Sequence, residues 1–140
     1  MTADDVRATL ERIPYARFLG LRVEMAGDEM TAVLPFAEHI VGNPVLPAIH
    51  GGVLGALMEI TAITQLSIAG GEGGLLRQPK PVDVTIEYLR SARPLTTYAR
   101  AQVRRLGRRI ANVHVEAWQE QRANPVAALR GHFLLTPREG

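Results

Sequence analysis

The feature that most constrains the fold is a long apolar segment, residues 50–71, in which Glu59 is the only ionisable side chain after His50. Its apolar residues cover most of the circumference of a helix, and a helix of that kind must be enclosed on all sides. A carboxylate near the centre and several polar residues after it fit a buried helix better than a membrane span. We therefore predict one long buried helix from His50 to about Ala69.

Alternating apolar and polar residues predict strands on both sides of this helix. Residues 21–34 alternate on either side of a Gly27-Asp28 turn and predict a hairpin. After the helix, four more alternating segments are centred on residues 82–88, 99–103, 113–117 and 129–135, with Gly107 in a turn. Successive strands with short turns make an antiparallel sheet, whose apolar face the helix would cover.

The remaining segments complete the predicted order of elements. Residues 2–13 predict a short amphipathic helix that Thr2 or Asp4 caps and Pro14 ends. Residues 35–49 contain too many prolines for a helix or a central strand. The order is thus helix, two strands, long helix and four strands, an α+β arrangement. We expect residues 1–140 to form a single domain, since this length is typical of one.

Composition excludes several classes of function. The chain has no cysteine, which rules out disulfide scaffolds and cysteine nucleophiles. Residues 1–76 carry nine acidic and four basic side chains, whereas residues 77–140 carry five acidic and twelve basic ones. This asymmetry indicates an anionic partner, but seven aromatic residues and no recognition motif argue against nucleic acid.

No targeting segment or metal site is predicted. Residues 1–13 are charged and have no apolar run of a signal peptide, so we expect a cytoplasmic protein with no membrane partner. His39, His114 and His132 lack the spacing of metal ligands. We therefore expect neither a metal nor a cofactor.

The sequence His50-Gly51-Gly52 opens the long helix directly after a loop. The first turn of a helix has unpaired N–H groups and the positive end of the helix dipole. Glycine there lets a substrate carbonyl approach the main chain closely. These residues therefore predict an oxyanion hole.

Glu59 is the second candidate, because an isolated carboxylate in an apolar helix needs a partner or a function. Gly51 and Glu59 are eight residues apart, or about 12 Å along a helix. The two cannot act on one carbonyl within a single chain, since reacting atoms must lie within about 3–3.5 Å. Two-fold pairing of the long helices would bring each helix start near the middle of the other. The sequence therefore indicates a dimer with two shared sites.

These residues together resemble a known family. Gly42-Asn43-Pro44, His50-Gly51-Gly52 and a carboxylate nine positions after the histidine are similar to the hotdog-fold acyl-CoA thioesterases, of the phenylacetate-pathway and 4-hydroxybenzoyl-CoA types. The segments 82–90, 103–109 and 126–135 resemble later strands of that family. The likeness covers nearly the whole chain and implies an antiparallel sheet wrapped around one central helix.

The resemblance also implies roles for individual residues. The Gly51 amide would bind the thioester oxygen, and Glu59 of the partner subunit would act as nucleophile or as general base. His50 and Asn43 would orient the loop and the thioester or water. Further substrate contacts would come from Gly52 and from arginines that bind coenzyme A phosphates, namely Arg90, Arg108 and Arg109. A serine or threonine later in the helix is also implied, and the candidates are Thr61, Thr64 and Ser67.

The implied reaction converts an acyl-CoA to a free acid and coenzyme A, in a homodimer that pairs into a tetramer. Two alternatives remain. The first is a hotdog enoyl-CoA hydratase or dehydratase, since residues 39–47 have a faint likeness to the loop of those enzymes. The second is a protein of the same fold that binds acyl-CoA without turning it over.

Overall fold

A computed structural model describes residues 2–43, 45, 47–70, 75 and 77–137, with residue 43 described by its main chain. The helices are α1 (Ala3–Glu11), α2 (Pro14–Leu19) and α3 (Gly51–Ala69), and a 3-10 turn spans Glu38–Ile40. The strands are β1 (Arg22–Ala26), β2 (Glu29–Leu34), β3 (Val41–Asn43), β4 (Ala48–Ile49), β5 (Lys80–Tyr88), β6 (Thr97–Leu106), β7 (Ile110–Trp118) and β8 (Ala127–Leu134).

Six of the strands form one antiparallel sheet in the order β1-β2-β6-β7-β8-β5. The predicted alternation sets its register: Ala99, Ala117 and Ala127 form one buried row across β6, β7 and β8. Gly107 closes the β6–β7 hairpin, where its N–H donates to the carbonyl of Ile110 at 2.9 Å. The predicted α+β architecture is confirmed.

Helix α3 lies across the apolar face of this sheet. Eleven of its nineteen residues are buried, which explains why its sequence is apolar on nearly every side. It is the one helix among the described residues that is long and apolar enough to cross a membrane. Most of it is nevertheless buried within the protein. Leu57, Met58 and Leu66 are fully buried and pack in the same core as Phe133 of β8.

The N-terminal segment differs from the prediction in one respect. Thr2 caps α1 as expected, in a reciprocal pair of hydrogen bonds with Asp5. The bond from the Thr2 main chain has the larger effect on the exposed Asp5 carboxyl, and together with the bond from the Thr2 side chain it lowers the pKa of that carboxyl. Pro14, however, also begins a second helix, α2, because a proline is tolerated in the first turn, where its missing N–H has no partner to lose.

Residues 35–49 are more ordered than their prolines indicated. They contain the 3-10 turn and a two-stranded sheet in which Val41 pairs with Ile49. Main-chain hydrogen bonds to neighbouring segments fix this region, so it is neither a helix nor part of the main sheet. The glycine-rich break predicted after α3, residues 71–74, lies outside the described residues.

Strand β5 forms one edge of the sheet. Its side chains remain exposed on both faces, although the sequence alternates like that of a half-buried strand. Val82 is 60% exposed, Val84 41% and Tyr88 56%. One side of this long edge strand is therefore an apolar surface that the described part of the chain leaves largely exposed, whereas the other side carries Asp83 and Glu87.

Candidate active site

The start of α3 is organised by His50, the N-cap residue. Its Nδ1 atom accepts a hydrogen bond of 2.9 Å from the N–H of Gly52. The N–H groups of Val53 and Leu54 donate to the His50 carbonyl. Within the described part of the chain, the N–H of Gly51 makes no hydrogen bond. The half-buried first residue of the helix thus offers a free donor at the positive end of the dipole.

The loop before the helix holds His50 in place. The N–H of His50 donates to the carbonyl of Ile40 at 2.9 Å, and the N–H of Ile49 donates to the carbonyl of Ala92 at 2.9 Å. A side chain at Gly42 would lie only 3.0 Å from the Cα atom of His50. Gly42 is therefore required by the close approach of two main-chain segments.

Glu59 lies two turns further along α3 and is half-buried. Its carboxylate makes no hydrogen bond or ion pair with any residue in the described ranges. Nearby residues of the helix, such as Ile60 and Ile63, are buried and apolar. Among the described residues this acid therefore has no protein partner, and its predicted catalytic role stays a prediction.

The predicted hydroxyl candidates are occupied by the helix itself. Thr61 and Thr64 are fully buried and donate to the carbonyls of Leu57 and Ile60 at 2.6 and 2.8 Å. Ser67 likewise donates to a carbonyl one turn back, at 3.0 Å. All three donate their proton to the main chain of α3, so each could meet a further group as an acceptor while keeping that bond.

Tyr88, the last residue of β5, was not singled out by the sequence analysis. Its hydroxyl donates a hydrogen bond of 2.9 Å to the carbonyl of Gly51. Its ring lies 3.3 Å from the position that a Cβ atom on Gly51 would occupy. The one feature of the sequence that could have indicated Tyr88 is its position in the alternation of β5. Val84, Ile86 and Tyr88 are spaced two residues apart and share the face of the strand that points toward α3.

Arg90 follows β5 and lies at the same end of the sheet as Gly51. It lines a polar depression of about 420 Å³ together with Ser91, Gln121 and Asn124. Arg93, in the same depression, is paired with Glu120. Arg90 itself forms no ion pair with any carboxylate in the described ranges.

Arg108 and Arg109 lie at the β6–β7 hairpin, at the opposite end of the sheet. Within one chain the structure therefore separates them from the start of α3. Asn43 has its main chain in β3, paired with Ala48, and its side chain lies outside the described structure. Its predicted role and those of the two arginines stay predictions.

The outer face of the sheet, away from α3, carries charged and polar side chains. His114 of β7 lies there between Arg104 of β6 and Arg130 of β8. Partial burial and then the two guanidinium charges lower the pKa of His114. No group of three or more potential metal-binding side chains occurs among the described residues.

An antiparallel six-stranded sheet packed against one long central helix is the hotdog fold. The model of the thioesterase superfamily matches residues 46–126, more than half of the chain, and the protein therefore belongs to that superfamily. A search of curated proteins finds no match. Membership supports thioester hydrolysis as the general activity.

Solved structures share this fold. A protein from Chromobacterium violaceum is 36% identical, with 96% of this chain and 94% of that chain covered and a TM-score of 0.74. A Pseudomonas aeruginosa protein is 26% identical over 94% and 97% of the two chains, with a TM-score of 0.81. The PaaI protein from the phenylacetic acid degradation operon of Escherichia coli, 24% identical over 98% and 92%, shares the fold with a TM-score of 0.78.

Proposed function

We propose that this protein hydrolyses acyl-CoA thioesters to a free acid and coenzyme A. One observation carries the proposal: α3 presents the Gly51 N–H at its start and the Glu59 carboxylate two turns later, and neither group has a partner within the described ranges. The first can stabilise negative charge on a carbonyl oxygen, and the second can attack or activate water.

The chemistry follows from these two groups. The thioester oxygen would accept a hydrogen bond from Gly51 N–H, which strengthens as the oxygen gains charge in the transition state. Glu59 either takes a proton from water, which adds to the carbonyl carbon, or adds to that carbon itself and forms an anhydride that water then hydrolyses. In both routes the C–S bond breaks, the thiolate of coenzyme A leaves, and water supplies the acid's new oxygen.

A complete site requires two copies of the chain. Gly51 and Glu59 are separated by about 12 Å along α3, at roughly 1.5 Å per residue. A second copy related by two-fold symmetry would bring Glu59 of the partner subunit to the start of α3. The exposed edge strand β5 is the natural place for pairing, because a long apolar edge is a template for another strand. Further pairing of dimers into a tetramer remains part of this proposal.

Such pairing would also explain the separated arginines. Antiparallel pairing along β5 reverses the direction of the partner's sheet. The partner's β6–β7 hairpin, with Arg108 and Arg109, would then lie toward the end that carries Gly51 and Arg90. An extended polyanion such as coenzyme A could contact arginines from both copies, since guanidinium groups bind phosphates in a bidentate manner.

The structure gives the hydratase alternative little support. The imidazole Nε2 of His39 lies 3.2 Å from the carbonyl of Phe18, and its ring packs edge-on against the Phe18 ring. These contacts account for His39 as a structural residue. The other alternative, a protein that binds acyl-CoA without turning it over, would be excluded by measured hydrolysis of a thioester.

The test is a thiol-release assay with the purified protein and a panel of acyl-CoA substrates. The panel contains short-chain, long-chain and phenylacetyl-CoA, with an enoyl-CoA assayed for hydration. We expect stoichiometric release of coenzyme A and free acid from at least one saturated or aryl thioester, at a rate at least about a hundredfold lower for the same substrate with Glu59→Gln. Tight binding without thiol release, or hydration of the enoyl-CoA alone, would contradict the proposal.

A further inference from the structure

The contact between Tyr88 and Gly51 joins the edge strand to the first turn of α3. The Tyr88 hydroxyl donates to the Gly51 carbonyl at 2.9 Å, and three atoms at the hydroxyl end of its ring lie 3.3–3.4 Å from the position of a Gly51 Cβ atom. The side chain is 56% exposed, so burial alone does not hold it there. The hydroxyl therefore makes a specific bond to Gly51, the residue whose N–H has no partner in the part of the chain that the structure describes.

Main-chain contacts fix the chain just before this residue. The N–H of His50 is bound to the carbonyl of Ile40, and Gly42 packs against the His50 Cα atom. Gly51 and Gly52 have no side chains of their own to restrict their torsion angles. Bonds from Val53 and Leu54 to the His50 carbonyl hold the peptide group that carries the Gly51 N–H, and Tyr88 adds a restraint on the other side of Gly51 through its carbonyl.

The same hydroxyl also belongs to a connected series of hydrogen bonds. The Gly51 carbonyl and the Gly52 N–H are the two ends of one peptide group, and that N–H donates to His50 Nδ1 at 2.9 Å. A hydrogen bond to a peptide oxygen polarises the group and strengthens its N–H as a donor. Two hydrogen bonds and the peptide group between them therefore connect Tyr88 to His50 through Gly51 and Gly52.

We propose that Tyr88 is a positioning residue for catalysis, which holds the first turn of α3 so that the Gly51 N–H is directed at the substrate oxygen. This inference rests on the proposed thioesterase function. It assigns to the hydroxyl of Tyr88 a role that Phe could not fill, because the ring packing would survive and the hydrogen bond would not. The effect should fall on kcat, since an oxyanion donor acts mainly on the transition state.

The test compares wild type with Tyr88→Phe and with Tyr98→Phe, a matched control. Tyr98 stacks on Trp118 at the outer face of the sheet, away from α3. We expect Tyr88→Phe to lower kcat about tenfold, less than the hundredfold or more for loss of an oxyanion donor itself, with KM within about twofold. Tyr98→Phe should match wild type in both constants.

A second measurement does not depend on activity. In 1H–15N spectra, the amide proton of Gly52 should move upfield in Tyr88→Phe, because its peptide group is less polarised, and should stay in place in Tyr98→Phe. An unchanged kcat, a loss confined to KM, or an unmoved Gly52 resonance would overturn the role of Tyr88. Absence of thiol release by wild type would instead overturn the proposed function, and the Gly52 resonance would still test the hydrogen-bond series.

Discussion

The Nδ1 atom of His50 accepts a hydrogen bond from the N–H of Gly52 at 2.9 Å. A neutral imidazole that accepts at Nδ1 carries its proton at Nε2, so the outer nitrogen of His50 is a donor. The side chain therefore caps α3 with one nitrogen, and its Nε2–H group has no partner among the described residues. Capping of the helix and the proposed substrate contact can therefore be tested separately.

Substitution of His50 separates these roles. His50→Ala removes the cap and should lower the free energy of unfolding by about 1 kcal/mol, whereas His50→Asn should restore most of it, because asparagine is a good N-cap. We expect the variant that keeps an N-cap to keep more activity, so His50→Asn should be much closer to wild type than His50→Ala. Urea unfolding measures the stability of the two variants, and kcat/KM measures their activity. If His50→Asn is stable yet as inactive as His50→Ala, the Nε2–H group contacts the substrate directly.

Gly51 offers a way to remove one N–H without removing a side chain. Gly51→Pro deletes that group, and proline is tolerated at the first position of a helix. His50 already has φ −57° and ψ 133°, which suits a residue before proline. Gly51→Ala is the matched control, since it keeps the N–H and places a Cβ atom against the same Tyr88 ring.

We expect kcat of Gly51→Pro to be about 10²–10³-fold below that of Gly51→Ala, the usual loss for one oxyanion donor. Circular dichroism should show that both variants keep the helix. Equal turnover by the two variants would exclude the Gly51 amide as the oxyanion donor.

Glu59→Gln should lower kcat at least a hundredfold or so, because it removes the acid–base or nucleophilic group. The thermal midpoint should be equal to or above that of wild type, since the carboxylate has no partner among the described residues and amide replacement removes a half-buried charge. A variant that retains turnover would eliminate Glu59 from the mechanism. Thermal unfolding and the thiol-release assay give the two values.

Sharing of the site between copies can be tested by mixing variants. Gly51→Pro and Glu59→Gln homodimers should each be inactive, but a mixed dimer has one site in which both groups are intact. After unfolding and refolding together, random pairing should restore about a quarter of wild-type activity. A mixture as inactive as its components would show that each site is built within one chain.

The pKa of His114 predicts a pH dependence of stability. Burial, Arg104 and Arg130 lower this pKa below the ordinary 6.5 that applies to the unfolded chain. Between the two values the unfolded chain binds a proton that the folded chain does not, so stability is complete above pH 6.5 and falls as the pH falls. When the pH is lowered from 7.5 to about 5, the free energy of unfolding of His114→Gln should fall less than that of wild type. Identical losses in urea unfolding would contradict this.

Residue patterns alone predicted the order of the main helices and strands, but they did not predict α2, β3 or β4. Apolar residues on nearly every side of residues 50–69 require an enclosed helix, and period-two alternation predicts strands, although β5 leaves both faces exposed. His50, Gly51 and Glu59 could be chosen as candidates because local features mark them: a cap, a glycine at a helix start and an isolated acid. The distance between Gly51 and Glu59 along one helix is also a local quantity.

Contacts between residues far apart in the chain could not be predicted, because they depend on how the elements pack. Tyr88 is 37 residues from Gly51, and their hydrogen bond exists because β5 and α3 pack side by side. The exposure of β5 follows from its place at the edge of the sheet, which strand alternation cannot reveal. Likewise, Arg90 and the β6–β7 hairpin lie at opposite ends of the sheet because strand direction, and not sequence distance, sets their separation.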